Sequence, residues 1–103
     1  MVYTDVFLFA LLMRKVPRPF KMPWGKGNIV EEVSITSEYH EPTIQLLKFE
    51  DGTESLRFCS YNGRRFSRSP LMIDVKDLTL MANALIETKE IRKLISKLSH
   101  EHS

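Results

Sequence analysis

Two dipeptides set most of what this chain can fold into. Asp51-Gly52 and Asn62-Gly63 both tolerate the positive φ angles of a tight hairpin turn, and both lie between runs of alternating apolar and polar residues. The flanking runs "TIQLLKFE", "TESLRFCSY" and "RRFSRS" are therefore expected to be consecutive antiparallel strands. "NIVEEVSIT" supplies a strand before them, with Ile29, Val33 and Ile35 on one side and Glu32, Ser34 and Thr36 on the other. A polar loop, "SEYHEP", separates it from the next strand. The expectation is an α+β fold: a four-stranded antiparallel meander, packed on one face by a C-terminal helix, with a second short helix after it.

The turns also set a register. A two-residue turn at 51–52 places Lys48 opposite Ser55, Leu46 opposite Arg57 and Ile44 opposite Cys59. One at 62–63 places Tyr61 opposite Arg64, Cys59 opposite Phe66 and Arg57 opposite Arg68. Opposed residues share a face, so Leu47, Phe49, Leu56 and Phe58 collect on the side expected to be buried. The other side collects Lys48, Arg57, Tyr61, Arg64, Phe66 and Arg68, together with Ile44, Leu46 and Cys59. Like charges directly opposed destabilise a sheet unless something anionic lies over them. Such a conflict between local stability and sequence is where function shows.

After Pro70, "LMIDVKDLTLMANALIET" has helical periodicity. Asp74 is the expected N-cap of a helix over 74–87, with Asp77 favourably near the positive end of its dipole. Val75, Leu78, Met81, Ala82 and Leu85 form its apolar stripe. The stripe continued by Ile91, Leu94, Ile95 and Leu98 lies about half a turn away. Either the helix breaks near Thr88–Glu90, or one helix buries opposite faces against two partners. The second option suggests a dimer.

The charges are segregated although the net charge of the 103 residues is only +2. Residues 14–27 carry Arg14, Lys15, Arg18, Lys21 and Lys26 and no acid, residues 28–54 carry seven acids against Lys48 alone, and residues 55–73 return to Arg57, Arg64, Arg65 and Arg68. Segregated charge creates local fields that a net figure hides. The stretch "VPRPFKMPWGKGN" contains three prolines and two glycines and is expected to be an extended basic arm. Arg14, Lys15, Arg18, Lys21, Trp24 and Lys26 are its candidate contacts, with the rings of Phe20 and Trp24 available for stacking. The competing reading is a linker whose Phe20 and Trp24 pack on the domain. The expected organisation is an N-terminal segment and arm over 1–28, one domain over 29–98, and a disordered tail over 99–103.

A single cysteine, Cys59, excludes an internal disulfide framework and fits a reducing, cytoplasmic compartment. The apolar run "VFLFALLM" has eight residues, whereas a helix needs roughly 20 to span a bilayer. Asp5 before it and Arg14 and Lys15 after it do not fit a secretory signal. Met13 offers an alternative start of translation. No membrane partner is expected.

The sequence offers little to catalysis, and the expectation is a protein without enzymatic activity, metal or cofactor. His100-x-His102 has no cysteine or acid at ligand spacing. Gly25-x-Gly27 lacks both a preceding strand and the further glycines of a dinucleotide loop. Serines 60, 67 and 69 have no histidine in their segment to activate them. Glu31 and Glu32 are adjacent in a strand and point to opposite faces, so they do not form a catalytic pair.

"LRFCSYNGRRFSRS", set in four strands followed by an amphipathic helix, resembles the single-stranded-DNA-binding fold of the positive cofactor 4 type transcriptional coactivators and their bacterial relatives. The resemblance covers residues 29–87. It departs from the family where "SRSPLMID" enters the helix in place of a lysine- and glycine-rich segment, and where Met81 occupies mid-helix in place of a tryptophan. The resemblance implies a homodimer made by the helices and a curved strand surface for single strands of DNA or RNA. It places Lys48, Arg57, Tyr61, Arg64, Phe66 and Arg68 toward the nucleic acid, with the cations on phosphates and Tyr61 and Phe66 under bases. The alternative is a small dimeric interaction or assembly domain whose arginine face meets an acidic protein.

Overall fold

The computed structural model describes residues 14–62, 65–66 and 70–99. The fold is α+β, with one curled antiparallel sheet followed by two helices. Among the described residues six strands rather than four make the sheet: β1 (Arg18–Met22), β2 (Gly25–Ser34), β3 (Glu41–Phe49), β4 (Glu54–Asn62), β5 (Arg65–Phe66) and β6 (Leu71–Asp74). They pair in the order β1-β2-β3-β4, and the free edge of β4 is shared by β5 at one end and β6 at the other.

The first correction concerns the basic arm. From Arg18 onward that segment is a hairpin, in which Lys21 stands opposite Lys26 and Met22 opposite Gly25. Its turn is Pro23-Trp24, with proline where its fixed φ suits a turn and Gly25 just after it. Pro19 is tolerated because β1 is an edge strand, where a missing N–H need break no ladder.

The second correction is to the register. Phe49 N–H donates to Thr53 O and Gly52 N–H to Phe49 O, both at 2.9 Å, with Gly52 at φ +91°. The loop therefore contains three residues, 50 to 52, in place of two, the wider form in which a left-handed glycine follows a turn. Asp51 supports it by accepting from Thr53 N–H at 2.9 Å and from the Thr53 hydroxyl at 2.7 Å. One extra residue shifts every pair: Arg57 faces Gln45, Ser55 faces Leu47 and Cys59 faces Thr43. A one-residue shift exchanges the faces of one strand relative to the other. Leu47 and Phe49 therefore share a face with Arg57 and Tyr61, while Leu56 and Phe58 turn to the opposite face with Ile44 and Leu46.

A bulge in β2 between Ile29 and Glu31 does the same to that strand. Ile29 lies opposite Leu47 and is 2% exposed, whereas Val33 lies opposite Ile44 and is 60% exposed. Near the start of β2, the backbone of β3 approaches Gly27 so closely that a Cβ there would lie 2.0 Å from Lys48 O. The small core is on the inner face, where Phe20, Ile29 and Leu47 are joined by Met22, Phe49 and Met72. Phe20 and Phe49 meet edge to face with ring centroids 5.0 Å apart.

Beyond Pro70 the expected helix starts late. "LMID" is strand β6, which pairs Met72 with Arg57 and so occupies the place expected for Arg68. Asp74 caps a 3₁₀ turn over 75–77 without a side-chain cap bond, and instead accepts from the Ser55 hydroxyl at 2.7 Å. Helix α1 follows at Leu78–Leu85 and helix α2 at Lys89–Ser96, so of the two alternatives that the shifted stripe left open the chain takes the break. The expected packing of a helix over one face of the sheet is not borne out among the described residues, where neither helix contains a buried residue.

Candidate nucleic-acid interface

The residues nominated from the sequence separate onto the two faces of the sheet. On the inner face the cations are engaged. Arg18 donates from both Nη atoms to the two Glu32 oxygens at 2.9 and 2.8 Å. Arg14 donates to Glu41 at 3.4 and 3.5 Å, and its guanidinium carbon lies 3.7 Å from the centroid of the Tyr61 ring. Gln45, fully buried, joins these groups: its Nε2 donates to Glu32 at 2.7 Å and to the Tyr61 hydroxyl at 3.0 Å. Its Oε1 accepts from Arg57 Nε at 2.7 Å and from the Cys59 thiol at 3.5 Å. The amide orientation follows from this, since only the oxygen can accept from arginine and only the nitrogen can donate to a carboxylate.

The electrostatics follow burial and partners. Burial, the largest single influence on Glu32, pushes it up, but the hydrogen bonds from Arg18 and Gln45 and the arginine charges together hold it below the usual carboxylate range. Its bond to Glu32 raises Arg18. Burial lowers Arg57 and raises the Cys59 thiol, which makes Cys59 a half-buried, protonated group rather than a reactive thiolate.

Arg57 and Tyr61 therefore do not lie on an open surface as expected: they are 6% and 8% exposed. Phe66 stands opposite Tyr61 with ring centroids 5.2 Å apart, and its own ring is committed to Tyr61 and to the Arg57 guanidinium. Arg64 and Arg68 lie outside the described residues. Lys48 belongs to the opposite face, a consequence of the three-residue loop.

On that outer face three nominated lysines come together that were spread between arm and sheet, with Trp24 in the turn between two of them. Lys21 and Lys26 are directly opposed, and Asn28, two residues beyond Lys26, stands opposite Lys48. Alternation puts all three lysines on one side, and all three are exposed. Trp24, 67% exposed, projects from the turn that joins Lys21 to Lys26. With Lys21, Lys26, Phe49, Glu50 and Asp51 it lines a recess of about 460 Å³. Glu54 is opposite Lys48, and Glu50 N–H donates to Lys26 O at 3.0 Å, yet none of the three ammonium groups forms a salt bridge among the described residues. Lys15 is exposed as well, outside this corner.

The corner was missed because the segment read as extended. Its signal was present in "MPWG": proline and then glycine two residues later is the pattern of a type I turn. Among the described residues no group of three or more His, Cys, Asp or Glu could hold a metal, and no helix is long and apolar enough to cross a membrane. His100 and His102 lie outside the described residues. No protein-family model, curated protein or solved structure matches the chain.

Proposed function

We propose that this chain is a non-catalytic single-stranded nucleic-acid-binding protein whose contact surface is the outer corner formed by Lys21, Trp24, Lys26 and Lys48. The observation that carries the reading is the direct opposition of Lys21 and Lys26 beside an exposed tryptophan, with no ion pair to any of the three lysines among the described residues. Like charges facing each other across a sheet cost stability unless an anion lies over them. Flexible ammonium groups suit phosphates without base preference, and an exposed indole is a surface on which any base can stack. A recess beside that ring and a ridge of lysines along one strand pair suit a flexible single strand better than a rigid duplex. The inner arginines take a different role, holding the sheet together through Glu32, Glu41 and Gln45.

Fluorescence anisotropy of a labelled single-stranded oligonucleotide, titrated at low and moderate salt beside a duplex control, tests the reading. Expected is salt-sensitive binding that prefers the single strand and is lost in the Lys21→Ala, Lys26→Ala, Lys48→Ala triple variant. Binding that survives the triple variant unchanged, or no binding at low salt, rejects it.

A second reading, self-association as a homodimer, has its own observation. The stripe Ile91, Leu94, Ile95 and Leu98 of α2 and the turn after it is exposed along its whole length. Helices of about this length are marginal alone in water and gain most of their stability by packing an apolar face. Sedimentation of the protein and of a Leu94→Asp, Ile95→Asp variant tests it: a dimer that becomes a monomer is expected, and a monomeric parent rejects it.

A further inference from the structure

The inner face has a cation with no acid beside it among the described residues, on the opposite side of the sheet from the lysine corner. Arg57 is 6% exposed, and Nε is the one atom of its guanidinium that makes a hydrogen bond among the described residues, to Gln45 Oε1 at 2.7 Å. No described carboxylate oxygen lies within 4.0 Å of its nitrogens, although Arg14 and Arg18 beside it each have a glutamate. Glu32, the acid of the same network, is reached only through the Gln45 amide, which donates to it while accepting from Arg57. Among the described residues the layer thus holds three guanidiniums against two carboxylates, Glu32 and Glu41, and a thiol that burial keeps protonated.

The two Nη atoms of Arg57 also have no acceptor among the described residues, yet no fully enclosed side-chain nitrogen or oxygen there lacks a partner. The Nη atoms are therefore not fully enclosed, although the residue as a whole is only 6% exposed. The Phe66 ring centroid is 4.6 Å from the guanidinium carbon and that of Phe20 is 5.7 Å away. Ring faces attract the cation and offset part of its desolvation, but they accept no hydrogen bond in the plane of the guanidinium. A fork fixed at Nε, walled by rings and open at Nη matches an oxyanion, which takes two parallel N–H donors. Placing one there would also balance the charge of the layer.

We propose that Arg57 anchors an oxyanion site on the inner face of the sheet, with Gln45 orienting the guanidinium and Phe20 and Phe66 forming its walls. The ligand is a phosphate or carboxylate group that accepts from the two Nη atoms. This site is separate from the lysine corner and does not depend on nucleic acid binding there.

The test uses the full chain and three salts at matched ionic strength: inorganic phosphate, acetate and chloride. Unfolding midpoints and the arginine side-chain N–H resonances are followed as each anion is added. A saturable rise in midpoint with phosphate or acetate above chloride is expected, because a ligand that binds only the folded state stabilises it. Arg57 signals should shift saturably, while those of Arg14 and Arg18, already engaged by glutamates, move less. Arg57→Lys keeps the charge but loses the fork, and should weaken anion affinity at least tenfold. If that variant does not fold, the resonances of the parent protein still decide the matter. Equal midpoints in all three salts, or a linear drift of all arginine signals together, overturns the proposal. The Lys21→Ala, Lys26→Ala, Lys48→Ala variant should retain the response, which separates failure of this site from failure of the corner. Displacement of phosphate by an oligonucleotide in that variant assigns the site to strand phosphates; retention assigns it to a free anion. Preference for acetate assigns it to a carboxylate.

Discussion

The two faces of the sheet hold positive charge in opposite ways. On the inner face Arg14, Arg18 and Arg57 are planar forks, partly or wholly enclosed, with Gln45 and two glutamates arranged around them. On the outer face Lys21, Lys26 and Lys48 are exposed and have no salt bridge among the described residues. The chemistry of the side chains accounts for the division. A guanidinium is weakly hydrated and its donors are fixed in a plane, so it can be taken from water at lower cost if acceptors are in place. An ammonium is a strongly hydrated point charge and remains outside. Basic residues as a class therefore do not define a binding surface: Arg14 and Arg18 are paired with glutamates inside the sheet, whereas the three outer lysines have no such pair among the described residues.

The largest effect that can break this contrast is expected at Gln45. Gln45→Leu removes an acceptor from Arg57 and donors from Glu32 and Tyr61 in one step. Leaving a buried donor or acceptor without its partner costs about 1–3 kcal/mol, and urea unfolding should show a loss of at least that order although Glu32 keeps its pair with Arg18. Lys48→Leu, three residues along the same strand, should change stability by less than about 0.5 kcal/mol, as exposed substitutions usually do. Equal losses at the two positions would mean that the inner network does not hold the fold together.

A smaller effect should appear with pH. Glu32 is held below the usual carboxylate range in the folded state, so its contribution is fully present above the unfolded value. It is lost as pH falls through the folded value. Stability should therefore decline on acidification below the ordinary carboxylate range, and Glu32→Gln should flatten part of that slope. Asp51, also lowered by its bonds to Thr53, supplies another part that the variant leaves in place. Denaturant midpoints of the two proteins from neutral pH down to about pH 3, below the ordinary carboxylate values, compare them. Identical slopes would mean that Glu32 contributes nothing to the acid sensitivity.

How much of this was legible depends on the turn. The strands that flank Asp51 and Gly52 were readable from alternation, and the shift of the apolar stripe narrowed the helical segment to a break or one helix with two buried faces. The faces were not. Asp-Gly suits both a two-residue turn and a three-residue loop, and the choice exchanges which side chains of β3 share a face with those of β4. Thr53 held the missing information, because its N–H and hydroxyl both bind Asp51 and support the wider loop. The bulge that sends Ile29 inward and Val33 outward has no comparable marker in "NIVEEV". Gln45 was not singled out, since a lone glutamine in a strand announces nothing until its neighbours across the sheet are known. For the candidate site, residue types were readable but their grouping was not. Lys48 joined Lys21, Trp24 and Lys26 only when the proline-rich segment formed a strand pair.

Trp24→Ala sharpens the contrast from the outer side. The ring is 67% exposed, so stability should be nearly unchanged, whereas loss of one stacked base costs about 1–3 kcal/mol of affinity. Anisotropy titration of the same oligonucleotide with parent and variant measures the difference, and unchanged affinity would exclude Trp24 as a stacking surface.

The smallest effect is the most specific, because its sign is opposite to that expected for an ordinary surface residue. If Lys21 and Lys26 repel each other across the β1–β2 ladder, removing either one should stabilise the free protein by about 0.2–1 kcal/mol. The same change should weaken single-strand binding and make the slope of log affinity against log salt shallower by about 0.7, the value for one phosphate no longer neutralised. Removing both lysines should add little stability beyond the first, because one substitution already ends the repulsion. Lys21→Ala, Lys26→Ala and the double variant, measured for unfolding midpoint in low salt and for affinity over a salt series, form a closed cycle. A gain in stability paired with a fall in affinity means that the sheet tolerates the opposed charges for a ligand's sake. A loss of stability means that the lysine stems cover apolar surface, such as the Trp24 ring that lines the recess with them. In that case the two faces would differ only in exposure, and not in purpose.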